Sequence, residues 1–265
     1  MNHVILITGC QRSGTTLLNL ILDSHPDVHG VDEMEFRAER MRGYLQDPRF
    51  HPRVCFKLPA AAHEVKGIAT LPGVQVLYCL RDPRDVVASM LTLQIRHGVV
   101  LVPWAAHPLG ADREIQGGAK LLDDEVRRQL APALGRYEPC RGRNPAGWAR
   151  ADQVLAAALC WRIKAELFPL YAAAQVPARL VVYERLLAEP QCEIRTLLDF
   201  LGLPWHDDVL RHHQLHHGIS VGNTVNDRPI DPDNVGKWRT SLNDGDLVVL
   251  REICGPTAAR FGYEI

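Results

Sequence analysis

Three features are scarce or missing in this 265-residue sequence, and each one excludes a class of protein. No apolar run approaches the length needed to cross a bilayer, and the run that precedes Arg12 is too short for a secretory signal. With a formal net charge of −1, the chain lacks the excess of basic residues that is typical of proteins that coat nucleic acid. The seven cysteines form no C-x-x-C pair. We therefore expect a soluble, unprocessed, cytoplasmic protein with reduced thiols that binds neither nucleic acid nor membranes.

The residues that are present predict one α/β domain over residues 1–265. Apolar residues make up 46 % of the chain and charged residues 23 %, which is enough for a buried core. Short apolar runs bounded by turn residues predict strands at 4–8, 54–58, 74–80 and 179–183. Helical patterns follow these strands at 16–23, 83–90 and 191–201. Strands that alternate with helices imply a parallel sheet flanked by helices.

The middle and the end of the chain carry weaker patterns. Prolines and glycines interrupt residues 96–150, which we interpret as a helical and loop insertion with a short helix over 119–130. Residues 151–171 predict a long helix. Residues 205–240 are rich in Gly, Pro, Asn and Asp, and predict an ordered loop that closes over a site. A last helix is predicted over 247–261, with a break at its glycine-proline pair.

The most informative motif follows the first strand directly and reads G-x-x-x-x-G-T-T over residues 9–16. A strand, a glycine loop and a helix in this order present successive backbone N–H groups to an anion. The residue after the second glycine is Thr15, whereas kinases and nucleotide triphosphatases have a lysine that reaches the terminal phosphates. The motif therefore predicts a P-loop-type fold that binds a different anhydride, with Arg12 supplying positive charge. A plain glycine turn that closes a buried strand is the alternative.

Residues 11–18 and 22–28 together resemble the 5′-phosphosulfate-binding segment of sulfotransferases. Within that family they are most similar to tyrosylprotein sulfotransferases and their bacterial relatives. The resemblance implies that the donor is 3′-phosphoadenosine 5′-phosphosulfate (PAPS). It assigns donor contacts in the loop to Gln11, Arg12, Ser13, Gly14, Thr15 and Thr16.

A second segment, residues 76–90, resembles the 3′-phosphate-binding segment of the same family. The resemblance assigns the 3′-phosphate to Arg81 and Ser89, and a guanidinium with a hydroxyl suits a dianion. Tyr183 resembles a tyrosine that packs near the nucleotide, with a buried structural tyrosine as the alternative. Lys237 resembles a cofactor-contacting residue of the family's closing loop.

The resemblance also implies the chemistry of an in-line sulfuryl transfer, which depends on alignment and on charge stabilisation. It assigns the general base to Glu33 and stabilisation of the leaving group to Lys57 and Arg12, with no metal ion. The alternative for Glu33 is an ordinary acidic residue in the first turn of a helix. The alternative for Lys57 is a solvated lysine at a strand end.

Four histidines, His212, His213, His216 and His217, have a spacing that would let a helix pair two of them around a metal ion. No glutamate base lies within this cluster. A solvated helix face or a lid explains it with fewer assumptions.

One departure from the protein-tyrosine enzymes bears on the acceptor. Those enzymes have an arginine shortly after the catalytic glutamate, whereas Met34 and Glu35 follow Glu33 in this sequence. We therefore expect the hydroxyl of a small molecule or sugar as acceptor. The alternatives are a P-loop small-molecule kinase and a nucleotide-binding module without catalysis.

Overall fold

The computed structural model describes residues 3–46, 53–220 and 224–265. The chain divides into a first unit, Met1–Leu80 with Phe168–Asn234, and a second unit, Arg81–Leu167 with Val235–Ile265. The span 96–150 lies in the second unit. A single domain with an insertion there stays a prediction.

The first unit is built on a five-stranded parallel sheet. Its strands are β1 His3–Gly9, β2 Val28–Val31, β3 Arg53–Lys57, β4 Gln75–Leu80 and β7 Ala178–Val182. Their order in the sheet is β2-β3-β1-β4-β7. β1 is a central strand whose residues from Val4 to Ile7 are at most 1 % exposed. Such β-branched and apolar runs, buried on both faces, are typical of parallel sheets.

Three of the six helices described in the first unit, the first and the two that follow the last strand of the sheet, pack apolar residues against it. The six helices are α1 Thr15–Asp23, α2 Met41–Gln46, α3 Val65–Ile68, α8 Tyr183–Ala188, α9 Pro190–Leu201 and α10 His212–Leu215. The core joins strand residues such as Ile5 and Leu77 with helix residues such as Ile21 and Leu197. Gly202, with φ of +66°, ends α9 in the left-handed conformation that glycine adopts without strain. A two-stranded ribbon, β8 Ile219–Ser220 with β9 Thr224–Val225, follows α10.

The second unit is mainly helical. Its elements are α4 Pro83–Thr92, the antiparallel pair β5 Gln94–His97 and β6 Val100–Pro103, α5 Arg113–Ala119, α6 Asp124–Tyr137, α11 Trp238–Ser241 and α12 Asp244–Arg260. The long helix α7, Arg150–Ala173, begins in this unit and ends in the first. Asp82 caps α4 by accepting a hydrogen bond from the backbone N–H of Arg84 at 2.8 Å.

The predicted α/β class, the parallel sheet and the helices that flank it are confirmed. Strand β2 was not predicted, because its four residues include Gly30 and are too short to show an alternating pattern. The helix predicted over 119–130 has other bounds, since α5 ends at Ala119 and the helix that Asp123 caps runs over Asp124–Tyr137. Tyr183 begins α8 instead of ending the preceding strand.

The break predicted in the last helix is also wrong. α12 continues through Gly255 and Pro256, and Ile253, Cys254 and Ala258 on the same helix are all at most 3 % exposed. Burial of this face outweighs the hydrogen bond that the proline removes, so tertiary packing overrides the local signal. No helix among the described residues is long and apolar enough to cross a membrane.

Candidate active site

The glycine loop of the first unit adopts a backbone that few side chains tolerate. Gly9 has φ of +118°, and a Cβ atom there would lie 2.3 Å from the carbonyl oxygen of Cys79 on the neighbouring strand. Arg12 is a non-glycine residue with φ of 68°, in the left-handed region. Backbones of this kind are costly and are found at turns that cradle anions. The loop is therefore a shaped structure and more than a simple turn.

Gly14 allows the ring of Tyr183 to lie directly against the loop. A Cβ atom on Gly14 would lie 2.3 Å from Cδ2 of Tyr183. The Tyr183 side chain is buried, and its hydroxyl accepts a hydrogen bond from the Nδ2 amide of Asn234 at 2.6 Å. The structure thus brings Tyr183 to the predicted phosphate loop and holds it there through Asn234.

The loop has the polar groups that a phosphate or sulfate anion needs. Ser13 is 2 % exposed, and its hydroxyl has no hydrogen-bond partner among the described residues. Gly14 is the N-cap of α1 and carries no side chain that could satisfy the first N–H groups of the helix. A bound anion would accept from these donors, so the residues present fit the 5′ end of the donor.

Lys57 is the buried cation of the site, at the end of β3. Its side chain is 1 % exposed, and Nζ lies 2.8 Å from Oδ2 of Asp32 and 3.3 Å from Oε1 of Glu33. Nζ also donates to Oγ1 of Thr16, on the first turn of α1, at 3.3 Å. The interpretation of Lys57 as a solvated strand-end residue is therefore wrong. The lysine joins the loop to two carboxylates.

Hydrogen bonds beyond the strand ends fix the position of Lys57. The backbone N–H of Leu58 donates to the carbonyl of Ile7 at 2.9 Å, and the hydroxyl of Thr8 donates to the carbonyl of Leu58 at the same distance. These two bonds hold the segment that follows Lys57 in register with the end of β1, which leads into the glycine loop. The cation therefore enters the site from the carboxyl end of β3, a strand paired on both sides.

Asp32 and Glu33 lie in a turn directly after β2. The backbone N–H of Phe36 donates to the carbonyl of Asp32 at 2.9 Å, and Oδ1 of Asp32 accepts the N–H of Met34 at 3.1 Å. No helix begins at Glu33, so the helix-start alternative is wrong. Glu33 is 27 % exposed and Asp32 20 %, which leaves both carboxylates open to an incoming group.

The second unit holds the other predicted donor residues. Arg81 is 8 % exposed, its carbonyl accepts a hydrogen bond from Nε1 of Trp161 at 2.9 Å, and its Nη2 lies 3.3 Å from Oδ2 of Asp85. Ser89 lies two turns further along α4 and is half-buried. Lys237 is exposed and immediately precedes α11.

The histidine cluster does not form the predicted helical pairs, because α10 ends at Leu215. His216 instead lies 3.1 Å from the Ser24 hydroxyl through Nε2. His212 is buried, and burial together with neighbouring His213 lowers its pKa to about 4. Among the described residues, no three His, Cys, Asp or Glu side chains are grouped to hold a metal ion.

Sequence reasoning missed three contributors to the site. Asp32 is the nearer carboxylate to Lys57, Asn234 anchors Tyr183, and Asp85 contacts Arg81. Asp32 directly precedes Glu33, and Asp85 lies four residues after Arg81, so their positions in the sequence could have indicated both. Asn234 comes from a segment distant in the sequence, and no sequence pattern indicated its contact with Tyr183.

Comparison with known proteins agrees with this geometry. The family model described as "Sulfotransferase family" matches residues 4–50, which include the glycine loop, β2 and the turn with Glu33. Protein-tyrosine sulfotransferase 1 of Danio rerio is 25 % identical over 287 residues, and the match covers 98 % of this chain and 72 % of the Danio rerio protein. The Homo sapiens protein of the same name is also 25 % identical, with 98 % and 70 % covered.

Solved structures share the fold. The sulfotransferase domain from the curacin biosynthetic pathway superposes with a TM-score of 0.60 at 18 % identity, covering 100 % of this chain and 99 % of that domain. A mouse sulfotransferase complexed with PAP gives a TM-score of 0.54 at 12 % identity, with 97 % and 85 % covered. In the segment that carries the glycine loop, over nearly its whole length and in its fold, the chain is therefore similar to sulfotransferases.

Proposed function

We propose that this enzyme transfers a sulfuryl group from PAPS to the hydroxyl of a small molecule or sugar. The observation that carries the proposal is the position of Lys57, whose Nζ contacts both Thr16 of the glycine loop and Glu33. One buried cation thus adjoins an anion cradle and a carboxylate. A group transfer from a bound anhydride to a hydroxyl needs these parts together.

The donor assignment rests on two anion-binding segments. In this proposal the 5′-phosphosulfate is bound by the loop, that is by Gln11, Arg12, Ser13, Gly14, Thr15 and Thr16, with the ring of Tyr183 against it. Arg81 and Ser89 bind the 3′-phosphate, and Lys237 contacts the donor. The loop glycines and the hydroxyl of Ser13 support the first assignment, and the buried guanidinium of Arg81 supports the second.

Each residue of the cluster then has a defined part in an in-line displacement. Bound PAPS supplies the sulfuryl group. Glu33 accepts the proton of the acceptor hydroxyl as its oxygen bonds to sulfur. Lys57 and Arg12 stabilise the negative charge that remains on the leaving phosphate oxygen when the sulfur–oxygen bond breaks.

The acceptor part of the proposal rests on the surface beside Glu33. Met34 is 64 % exposed there, and Glu35, also exposed, adds a negative charge beside the base. The exposed Arg37 adds a positive charge to this surface, since its Nη1 donates to the carbonyl of Met34 at 2.8 Å. The apolar side chain of Met34 and the carboxylate of Glu35 support a neutral hydroxyl compound over an acidic peptide. The curated relatives are named as protein-tyrosine sulfotransferases, so a tyrosine-containing peptide belongs in the same acceptor panel. The cytoplasmic location is also proposed, since all seven cysteines are free.

The donor is tested by thermal unfolding with two nucleotides. We expect adenosine 3′,5′-bisphosphate to raise the melting temperature and ATP with magnesium to leave it unchanged, because Thr15 replaces the lysine that reaches a γ-phosphate. A shift with ATP alone would favour the kinase. Transfer of labelled sulfate from PAPS to a panel of phenols, sugars and peptides then identifies the acceptor.

The base is tested with Glu33→Gln, and its neighbour provides a matched variant. We expect Glu33→Gln to lower kcat by about 100-fold or more while keeping donor affinity, because loss of general-base catalysis has this size. Asp32→Asn removes a closer partner of Lys57 but no base, so we expect a smaller loss of kcat. Equal losses would contradict the assignment of Glu33, and no loss in either variant would favour a binding module.

A further inference from the structure

Asp85 is an enclosed carboxylate with three donors around it in the second unit. It lies on α4, one turn after Arg81, and its side chain is 2 % exposed. Its Oδ2 accepts the backbone N–H of Gly236 at 2.7 Å, and its Oδ1 accepts the backbone N–H of Trp238 at 3.0 Å. Arg81 Nη2 lies 3.3 Å from Oδ2. Both carboxylate oxygens are therefore engaged, as burial of a charge requires.

The turn that Asp85 holds begins with a glycine in the left-handed conformation. Gly236 has φ of +71°, and a Cβ atom there would lie 2.2 Å from Nη1 of Arg239. The ring of Trp238 is contacted by the guanidinium groups of Arg84 at 4.4 Å and Arg239 at 4.8 Å. Lys237 lies between the two N–H groups that Asp85 binds, so its backbone is fixed while its side chain is exposed.

We propose that Asp85 is a positioning residue for the donor, which holds Arg81 and the turn that carries Lys237 in one network. The inference rests on the proposed function, which assigns donor contacts to Arg81 and Lys237. Asp85 itself does not contact the donor in this proposal. It determines where two cations of the second unit are presented.

A simpler role for Asp85 makes the opposite prediction. If the carboxylate only balanced the charge of Arg81, a neutral residue would remove a negative charge from beside the 3′-phosphate, and donor binding would tighten. If Asp85 is an anchor, asparagine cannot replace it, because one of its two terminal atoms is an amide nitrogen that faces N–H donors. The turn then loosens and donor binding weakens. The sign of the change separates the two roles.

The test measures binding of adenosine 3′,5′-bisphosphate by calorimetry to the full chain and to Asp85→Asn. We expect about tenfold weaker binding or more, as for loss of one hydrogen bond to a charged group. We also expect KM for PAPS to rise while kcat at saturating PAPS changes little. In a Lys237→Ala background, Asp85→Asn should lower nucleotide affinity clearly less, because the side chain at 237 that Asp85 positions no longer carries an amine. Unchanged or tighter binding in Asp85→Asn, or full additivity with Lys237→Ala, would overturn the proposal.

Two further variants keep the outcome decisive. Asp123→Asn is the matched control, since Asp123 accepts a backbone N–H at the start of α6 in the same unit, and we expect nucleotide binding to be unchanged. If Asp85→Asn does not fold, Asp85→Glu keeps the charge but displaces both oxygens by a methylene. If Asp85 is an anchor, Asp85→Glu should weaken nucleotide binding. If Asp85 is only a counter-ion, Asp85→Glu should leave nucleotide binding unchanged. A wild-type protein that fails to bind the bisphosphate refutes the proposed function, and Asp85 then has no donor residues to position. A wild type that binds it, with unchanged binding in Asp85→Asn, refutes only the part played by Asp85.

Discussion

At the scale of single residues, Gly14 shows how one missing side chain shapes the site. Its φ of +84° lies in the region that L-residues rarely adopt, and its open side is filled by the ring of Tyr183. Two independent constraints therefore exclude any larger residue. The same glycine is the N-cap of α1, which leaves the first N–H groups of the helix for an anion.

We expect Gly14→Ala to destabilise the protein by about 2 kcal/mol or more and to abolish binding of adenosine 3′,5′-bisphosphate. The backbone strain alone costs about 1–2 kcal/mol, and the clash with Tyr183 adds to it. Urea unfolding and calorimetry measure the two effects. Gly67→Ala is the control, because a Cβ atom at Gly67 would meet no atom within 4 Å, and nucleotide binding should be unchanged. Normal binding by Gly14→Ala would contradict the fitted loop.

At the scale of elements, a buried ionic network joins α7 to α12 in the second unit. Arg162, 2 % exposed, donates through Nη1 to the carbonyl of Ile253 at 3.2 Å, and its Nε lies 3.0 Å from Oε1 of Glu166. Glu166 also accepts from the hydroxyl of Thr257 and from Nη2 of Arg260, the latter at 2.7 Å. Burial lowers the pKa of Arg162, and Glu166 opposes that effect. These bonds help to hold α12 against α7 on both sides of Pro256.

We expect Glu166→Ala to destabilise the protein by about 3–5 kcal/mol, because the buried guanidinium of Arg162 loses the carboxylate that balances its charge. Urea unfolding measures the change. Glu252→Ala is the matched control, since its ion pair with Arg136 is 48 % exposed on both sides and should contribute about 1 kcal/mol or less. Similar effects of the two substitutions would refute the importance of burial here.

The elements that could be predicted from the sequence are those whose local pattern and tertiary role agree. β1, β4 and α4 have apolar runs, and α4 has an N-cap aspartate followed by proline, so their places follow from the chain itself. β2 and the uninterrupted α12 depend on neighbours distant in sequence. Local signals do not carry that information, and the prediction failed at both.

At the scale of the whole molecule, the buried imidazole of His212 links stability to pH. Its pKa in the folded state is about 4, below the ordinary 6.5, and burial is the main cause. The unfolded chain therefore binds the proton more readily, so the contribution of His212 to stability is complete above pH 6.5 and is lost as the pH falls towards 4.

We expect the urea midpoint of the wild type to fall between pH 7 and pH 4.5 by more than that of His212→Leu, which cannot take up this proton. The full difference corresponds to about 3 kcal/mol. His217→Gln, at an exposed position, serves as the control and should follow the wild type. A variant with the same pH dependence as the wild type would exclude His212 as the group responsible.

The site as a whole was partly predictable, because its residues fall into two classes. Loop and strand-end residues such as Arg12, Lys57 and Arg81 lie in contiguous motifs that a single sequence shows. Asn234 and the turn at 236–238 take their positions from contacts with Tyr183 and Asp85, which only the folded chain defines. Motifs therefore indicate the chemistry, and the folded chain shows how its groups are held.

The pairing of Lys57 with two carboxylates has a consequence for selectivity among anions. Its positive charge is already more than balanced by Asp32 and Glu33, so a small free ion such as inorganic phosphate or sulfate gains little by approaching it. A ligand must be large enough to bind elsewhere first and only then compete for the ammonium group. Lys57 by itself should therefore give the enzyme little affinity for inorganic phosphate or sulfate.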